Sequence, residues 1–150
     1  MLQTGTTISG KGETTTNIGN TLYFDKESSV FLIPTATRGE SITLRNTTIY
    51  YSDHDIEITG DILAEKDGNS SLPTQVVIIS DKDILIDSSV RQIDAWLVAK
   101  GTIHTCTIDG SKEYRYESDH YYNDYVVSTC SNQLIINGPV KADTIVLNRT

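Results

Sequence analysis

Positive charge is scarce in this chain. Twelve Lys and Arg stand against 20 Asp and Glu, leaving a net charge of −8. Nucleic-acid backbones and anionic membrane surfaces both demand a basic patch, so neither is an expected partner. Long apolar runs are missing as well. None approaches the length of a membrane-spanning helix, so no membrane insertion is expected. No signal peptide opens the chain, because Thr and Gly dominate where an apolar segment would stand. Met1 and the abrupt end at Asn148-Arg149-Thr150 read as the bounds of a fragment of a longer chain. Helical periodicity is also lacking. Leu, Ala, Phe and Met are few, while Ile, Val, Thr and Tyr are frequent, which is the composition of strands.

Catalytic signatures are equally sparse. His54, His104 and His120 are scattered, and no His or Cys spacing fits zinc. There is no nucleophile elbow, phosphate loop or Ser-His-Asp order. No catalytic residue is assigned.

What the chain does have is alternation. From Asp83 to Cys106 it reads DILIDSSVRQIDAWLVAKGTIHTC. Ile84, Ile86, Val90, Ile93, Ala95, Leu97 and Ala99 share one face of an extended strand pattern. Leu85, Trp96 and Val98 make the other face apolar too, so both faces are expected to be partly covered. Trp96 is expected to pack between the wall and a covering segment, with ligand stacking as the alternative. Upstream, Gln75 to Ser80 reads as a strand buried on both faces.

The opening of this stretch recurs. Shifted by 28 residues, Asp55, Ile56, Ile58 and Ile62 fall on Asp83, Ile84, Ile86 and Val90. Shifted by 50, Leu134, Ile136 and Val140 fall on Ile84, Ile86 and Val90, and Ile145 and Leu147 on Ala95 and Leu97. Removing the 23 residues between Cys106 and Cys130 brings the second offset to 27. One repeat of about 27–28 residues, with an excursion closed by the cysteines, accounts for both offsets. The predicted fold is all-β: a right-handed parallel β-helix, or solenoid, whose coils build three parallel sheets. A β-sandwich with similarly patterned strands is the alternative.

One domain covers residues 1–150, large enough for a sizeable core. Residues 1–40 form a cap or irregular coil, in which Ile8-Ser9-Gly10 resembles the later corners. Coils follow at 41–106, a Tyr-rich inserted loop at 107–129, and a final coil at 130–150. Residues 65–74, EKDGNSSLPT, are turn chemistry and leave the coil as a loop. Cys106 and Cys130 are predicted to form a disulfide, worth about 3–4 kcal/mol in the chain-entropy view. Two unrelated thiols are the alternative. A disulfide implies an oxidising, extracellular setting.

The inserted loop holds five of the eight tyrosines: Tyr114, Tyr116, Tyr121, Tyr122 and Tyr125. With Asp119 they form the candidate ligand-binding set. Tyrosine offers a rigid face and a hydroxyl at low entropic cost, and acidic neighbours suit sugar hydroxyls. The plain alternative is that these rings pack on the flank of the solenoid.

Acidic pairs recur at Asp53/Asp55 and Asp81/Asp83, with Asp61, Asp87 and Asp94 nearby. Stacked coils would set Asp55 and Asp83 about 4.8 Å apart. Carboxylates that close repel unless a cation, proton or basic group lies between them. Ca²⁺ is the cofactor such a cluster would take. No known calcium loop is present, so capping of solvated turns is the leading reading and no cofactor is expected. Paired carboxylates also serve glycoside hydrolases. No basic residue clusters with them here, so a β-helix polysaccharide lyase or hydrolase stays an alternative.

The corners ITGDILAEK at 58–66 and INGPVKADTIVL at 136–147 resemble those of right-handed parallel β-helix modules of bacterial surface and polymer-forming proteins. Bactofilins, which are polymer-forming β-helix proteins, use similar short corners. They are cytoplasmic, lack a cysteine-bracketed loop, and have shorter, more regular coils. The run from Asp94 to Cys106, then Cys130 and Leu134 to Ala142, also looks like uncharacterised surface proteins of bacteria. This resemblance implies a cell-surface location, not an activity. The leading expectation for function is a non-enzymatic extracellular spacer presenting the 107–129 loop to a glycan or another surface protein. A self-associating polymer or stalk is the second possibility.

Overall fold

The computed structural model describes residues 15–17, 20–25, 30–33, 39–44, 47–65, 74–108, 110 and 129–149. β1 (Thr15–Asn17) leads into a winding chain. The first coil is β2 (Asn20–Asp25), β3 (Val30–Ile33) and β4 (Ile42–Leu44). The second is β5 (Thr48–Ser52), β6 (Asp55–Ile58) and β7 (Ile62–Ala64). The third is β8 (Val76–Ser80), β9 (Ile84–Asp87) and β10 (Gln92–Ile93). The fourth is β11 (Trp96–Ala99), β12 (Thr102–Thr107) and β13 (Ile135–Ile136). β14 (Val140–Lys141) and β15 (Thr144–Val146) begin a fifth.

Every third strand stacks on its predecessor. The first wall is β2-β5-β8-β11-β14, the second β3-β6-β9-β12-β15 and the third β4-β7-β10-β13. All pairs within these walls are parallel. This is a parallel β-helix, and the parallel ladders exclude the sandwich. β1 alone runs antiparallel, with Thr15 opposite Leu22. It covers the free edge of β2, an edge that would otherwise offer unpaired amides. Thr15–Asn17 is therefore a covering strand, while Ile8-Ser9-Gly10 lies outside the described residues.

The register keeps the predicted spacing in part: Thr21 pairs with Thr48 and Val30 with Asp55, 27 and 25 positions on. Val77 pairs with Trp96 and Ile84 with Ile103, both 19 positions on. Thr48 pairs with Val76 and Ile56 with Ile84, 28 positions on. Ala64 and Val76 bound the longer connection, whereas Asp94 and Ala95 alone separate β10 from β11. The spacing is thus set connection by connection, 28 where the chain passes from Ala64 to Val76 and 19 where it passes directly from Ile93 to Trp96. Ile62 faces Ile93 and not Val90. Ile136 faces Ile93, Val140 faces Leu97 and Ile145 faces Ile103, so the offset of 50 is replaced by 42 or 43. Walls fix the strands, whereas corners accept insertions because closure entropy grows slowly with loop length.

Inside the prism, like sits on like. Ile56, Ile84 and Ile103 stack along the second wall, and Ile62 and Ile93 along the third. Tyr50, Ile78 and Leu97 stack along the first. All eight are buried. β-Branched side chains favour the extended backbone and fill these rungs. Each buried Ile contributes roughly 1.5–3 kcal/mol of transfer free energy. In the last coil the inward positions open to solvent, Val140 at 36% and Ile145 at 46% exposure.

Candidate functional site

Three constellations stand out: the corners, the neck of the excursion, and the outer face of the first wall.

At the corner between the first and second walls, Asp55 and Asp83 are neighbours, as the recurrence predicted. The Asp83 backbone N–H donates to Asp55 Oδ1 at 3.1 Å, and the Thr102 N–H donates to Asp83 Oδ1 at 2.7 Å. Ser52 Oγ accepts from the His54 N–H, and Ser80 Oγ accepts from the Lys82 N–H, both at 3.0 Å. The Ser80 hydroxyl then donates to the His54 carbonyl at 2.7 Å. One coil later Gly101 holds the matching place, where a Cβ would land on the Asp83 carboxylate. At the third wall, Asp61 Oδ1 accepts from the N–H groups of Arg91 and Gln92 at 2.6 and 3.1 Å. Asp94 accepts from the Ala64 N–H at 3.1 Å and from the Asn137 amide at 2.7 Å. The recurring carboxylates are thus acceptors for the next or preceding coil. Among the described residues no three His, Cys, Asp or Glu gather as a metal site.

The neck is a disulfide. Cys106, near the end of β12, bonds Cys130, with Cα atoms 6.0 Å apart and both residues fully buried. Gly110, at φ 70°, turns the chain beside the Glu57 carboxylate, so the excursion starts over the second wall. Glu57 and Leu85, at outward positions of that wall, are buried. Tyr114, Tyr116, Asp119, Tyr121, Tyr122 and Tyr125 lie outside the described residues. Arg149, which the sequence did not single out, braces the neck. Its guanidinium donates to the carbonyls of Thr105 at 2.7 Å, Asp87 at 2.8 Å, Asn132 at 3.1 Å and Ser88 at 3.2 Å. Thr105 precedes the first cysteine and Asn132 follows the second, so one planar fork holds both sides of the loop. A lone arginine near a chain end carries no sequence signal for such a role.

Across β5, β8 and β11 the outer face of the first wall is apolar. Ile49, Val77 and Trp96 form one row across β5, β8 and β11, and Tyr51, Ile79 and Val98 the next. Val77 and Ile79 are half-buried, so β8 is fully buried only on its inward face. Trp96 is 44% exposed. This corrects the expectation of a covered indole: its ring lies beside Gly138 and otherwise faces outward.

A polar group closes one end of this shelf. The Tyr51 hydroxyl donates to Asp81 Oδ2 at 3.0 Å, and Lys100 Nζ lies 2.9 Å from Asp81 Oδ1. Hydrogen bonds from Lys100 and then Tyr51 hold the Asp81 carboxyl below its ordinary range. The Asp81 bond, aided by burial, raises the Tyr51 phenol, and the same carboxylate raises Lys100. Compared with family models, curated proteins and solved structures, the chain matches none.

Proposed function

We propose that this chain is a non-enzymatic module of an extracellular bacterial surface protein. Its β-helix is a stiff spacer, and the 107–129 excursion is the part presented to a glycan or a protein partner. The supporting observation is the neck. A buried disulfide and the Arg149 fork hold both ends of the excursion at the second wall. A loop anchored this way loses little further entropy when its root is held in a complex. The oxidised cysteines favour an oxidising compartment.

Glycan and protein arrays probed with the intact chain, and with a chain lacking residues 107–129, test this reading. Signals that vanish with the loop, while the coils keep their far-UV spectrum, support it. An unchanged binding pattern rejects the loop's role.

A second reading is a self-assembling stalk. The open inward positions Val140 and Ile145 favour it, because a further coil would bury them. Light scattering at rising concentration separates the two: growth supports the stalk, and a strict monomer rejects it.

A further inference from the structure

Along each strand of a solvated β wall, polar outward residues alternate with buried apolar inward ones. On the first wall they do not. Ile49, Tyr51, Val77, Ile79, Trp96 and Val98 make a continuous apolar and aromatic shelf across three strands. Its polar groups stand together at one corner, where Asp81 links Tyr51 and Lys100.

We propose that this shelf is a carbohydrate platform, on which Trp96 stacks against a ring of a neutral oligosaccharide while the Tyr51–Asp81–Lys100 group bonds hydroxyls farther along it. This site is built on the first wall, whereas the excursion leaves the second at Gly110, so it goes beyond the function proposed for the excursion.

The occupant follows from shape, chemistry and charge. Trp96 and Tyr51 lie two strands and two residues apart in register, about 10 Å across the wall and about 7 Å along it. That span suits a chain of sugars and not a single ring. An indole 44% exposed offers a planar apolar surface to the C–H face of a pyranose. A carboxylate accepts from sugar hydroxyls, and Lys100, 70% exposed, keeps donors beyond the one given to Asp81. The net charge of −8 disfavours a polyanion, while a neutral glycan meets no such repulsion.

Trp96 is the only tryptophan, so its emission reports on the shelf alone. The test titrates the chain with malto-, cello- and chito-oligosaccharide series. A saturable emission change is expected with at least one series, and it persists in the chain lacking residues 107–129. By calorimetry, Trp96→Ala abolishes that binding, Trp96→Phe keeps part of it, and Asp81→Asn weakens it about tenfold. Silence across all three series overturns the proposal, as does binding that survives Trp96→Ala. A response lost only on deleting 107–129 overturns it too, and moves the sugar site to the excursion. A dimer that Trp96→Ala dissociates overturns it by giving the face to a second copy.

Discussion

The carboxylate of Asp55 receives the backbone N–H of Asp83 at 3.1 Å, and Asp83 in turn receives that of Thr102. Each acid thus serves the coil that follows. Hydrogen bonds to a charged acceptor contribute about 1.5–3 kcal/mol, and an orphaned buried N–H costs about as much. Asp83→Ala is expected to lower the unfolding free energy by about 2 kcal/mol. Asp83→Asn, which keeps an acceptor oxygen, should recover part of it. Gly101→Ala should be at least as damaging, because the new methyl displaces the same carboxylate. Urea denaturation of the three variants checks the order.

The interior stack sets a gradient of sensitivity. Ile84 is fully buried between Ile56 and Ile103. Ile84→Ala should cost about 2–5 kcal/mol through lost transfer energy and the cavity left behind. Ile145 occupies the corresponding place in the last coil and is half exposed, so Ile145→Ala should cost under about 1 kcal/mol. Comparing the two thermal midpoints measures the difference.

The Tyr51–Asp81–Lys100 group makes stability depend on pH at both extremes. Asp81's lowered pKa means its contribution is complete above the ordinary carboxylate range. It is lost as pH falls through the lowered value. Tyr51 and Lys100 have raised values, so their contributions are complete below their ordinary ranges and are lost as pH rises through the raised ones. Alkaline titration of tyrosinate absorbance, taken as the difference between the chain and its Tyr51→Phe variant, should place Tyr51 above an ordinary tyrosine. Asp81→Asn should move it back down.

The neck is expected to matter to the chain's stability. Cys106→Ser with Cys130→Ser frees a loop of 24 positions and should cost about 3–4 kcal/mol in the entropic view. Arg149→Lys should not replace Arg149, since a single ammonium does not span four carbonyls as a guanidinium fork does. Hydrogen exchange at Thr105 and Asn132 should rise in both variants.

Much of this column was legible in the residues. Ile56-Ile58 and Ile84-Ile86 recur with the same alternation, and they do stack. The cysteines bracket the one compositionally foreign segment, and they do pair. The spacing of 28 was legible and holds from β5 to β8 and from β6 to β9, whereas the 19 positions from β8 to β11 were not, because the connections between strands differ in length without disturbing any wall. A match of Val90 to Ile62 looked as good as the true partner, Ile93, since both are aliphatic and both are buried. Alternation sorts side chains into two faces, but it does not say what covers the outer one. Leu85 and Trp96 have similar sequence patterns, yet Leu85 is 2% exposed and Trp96 44%.

The winding itself is most directly tested by proton–proton Overhauser contacts in solution. The stacked register predicts backbone amide-to-Hα contacts between Ile84 and Ile103, 19 positions apart, and between Ile56 and Ile84. It also predicts no short Hα–Hα contacts between any of these strands, because parallel ladders do not bring those protons together. Strong Hα–Hα contacts between β6, β9 and β12 would mean antiparallel neighbours, and would contradict the β-helix.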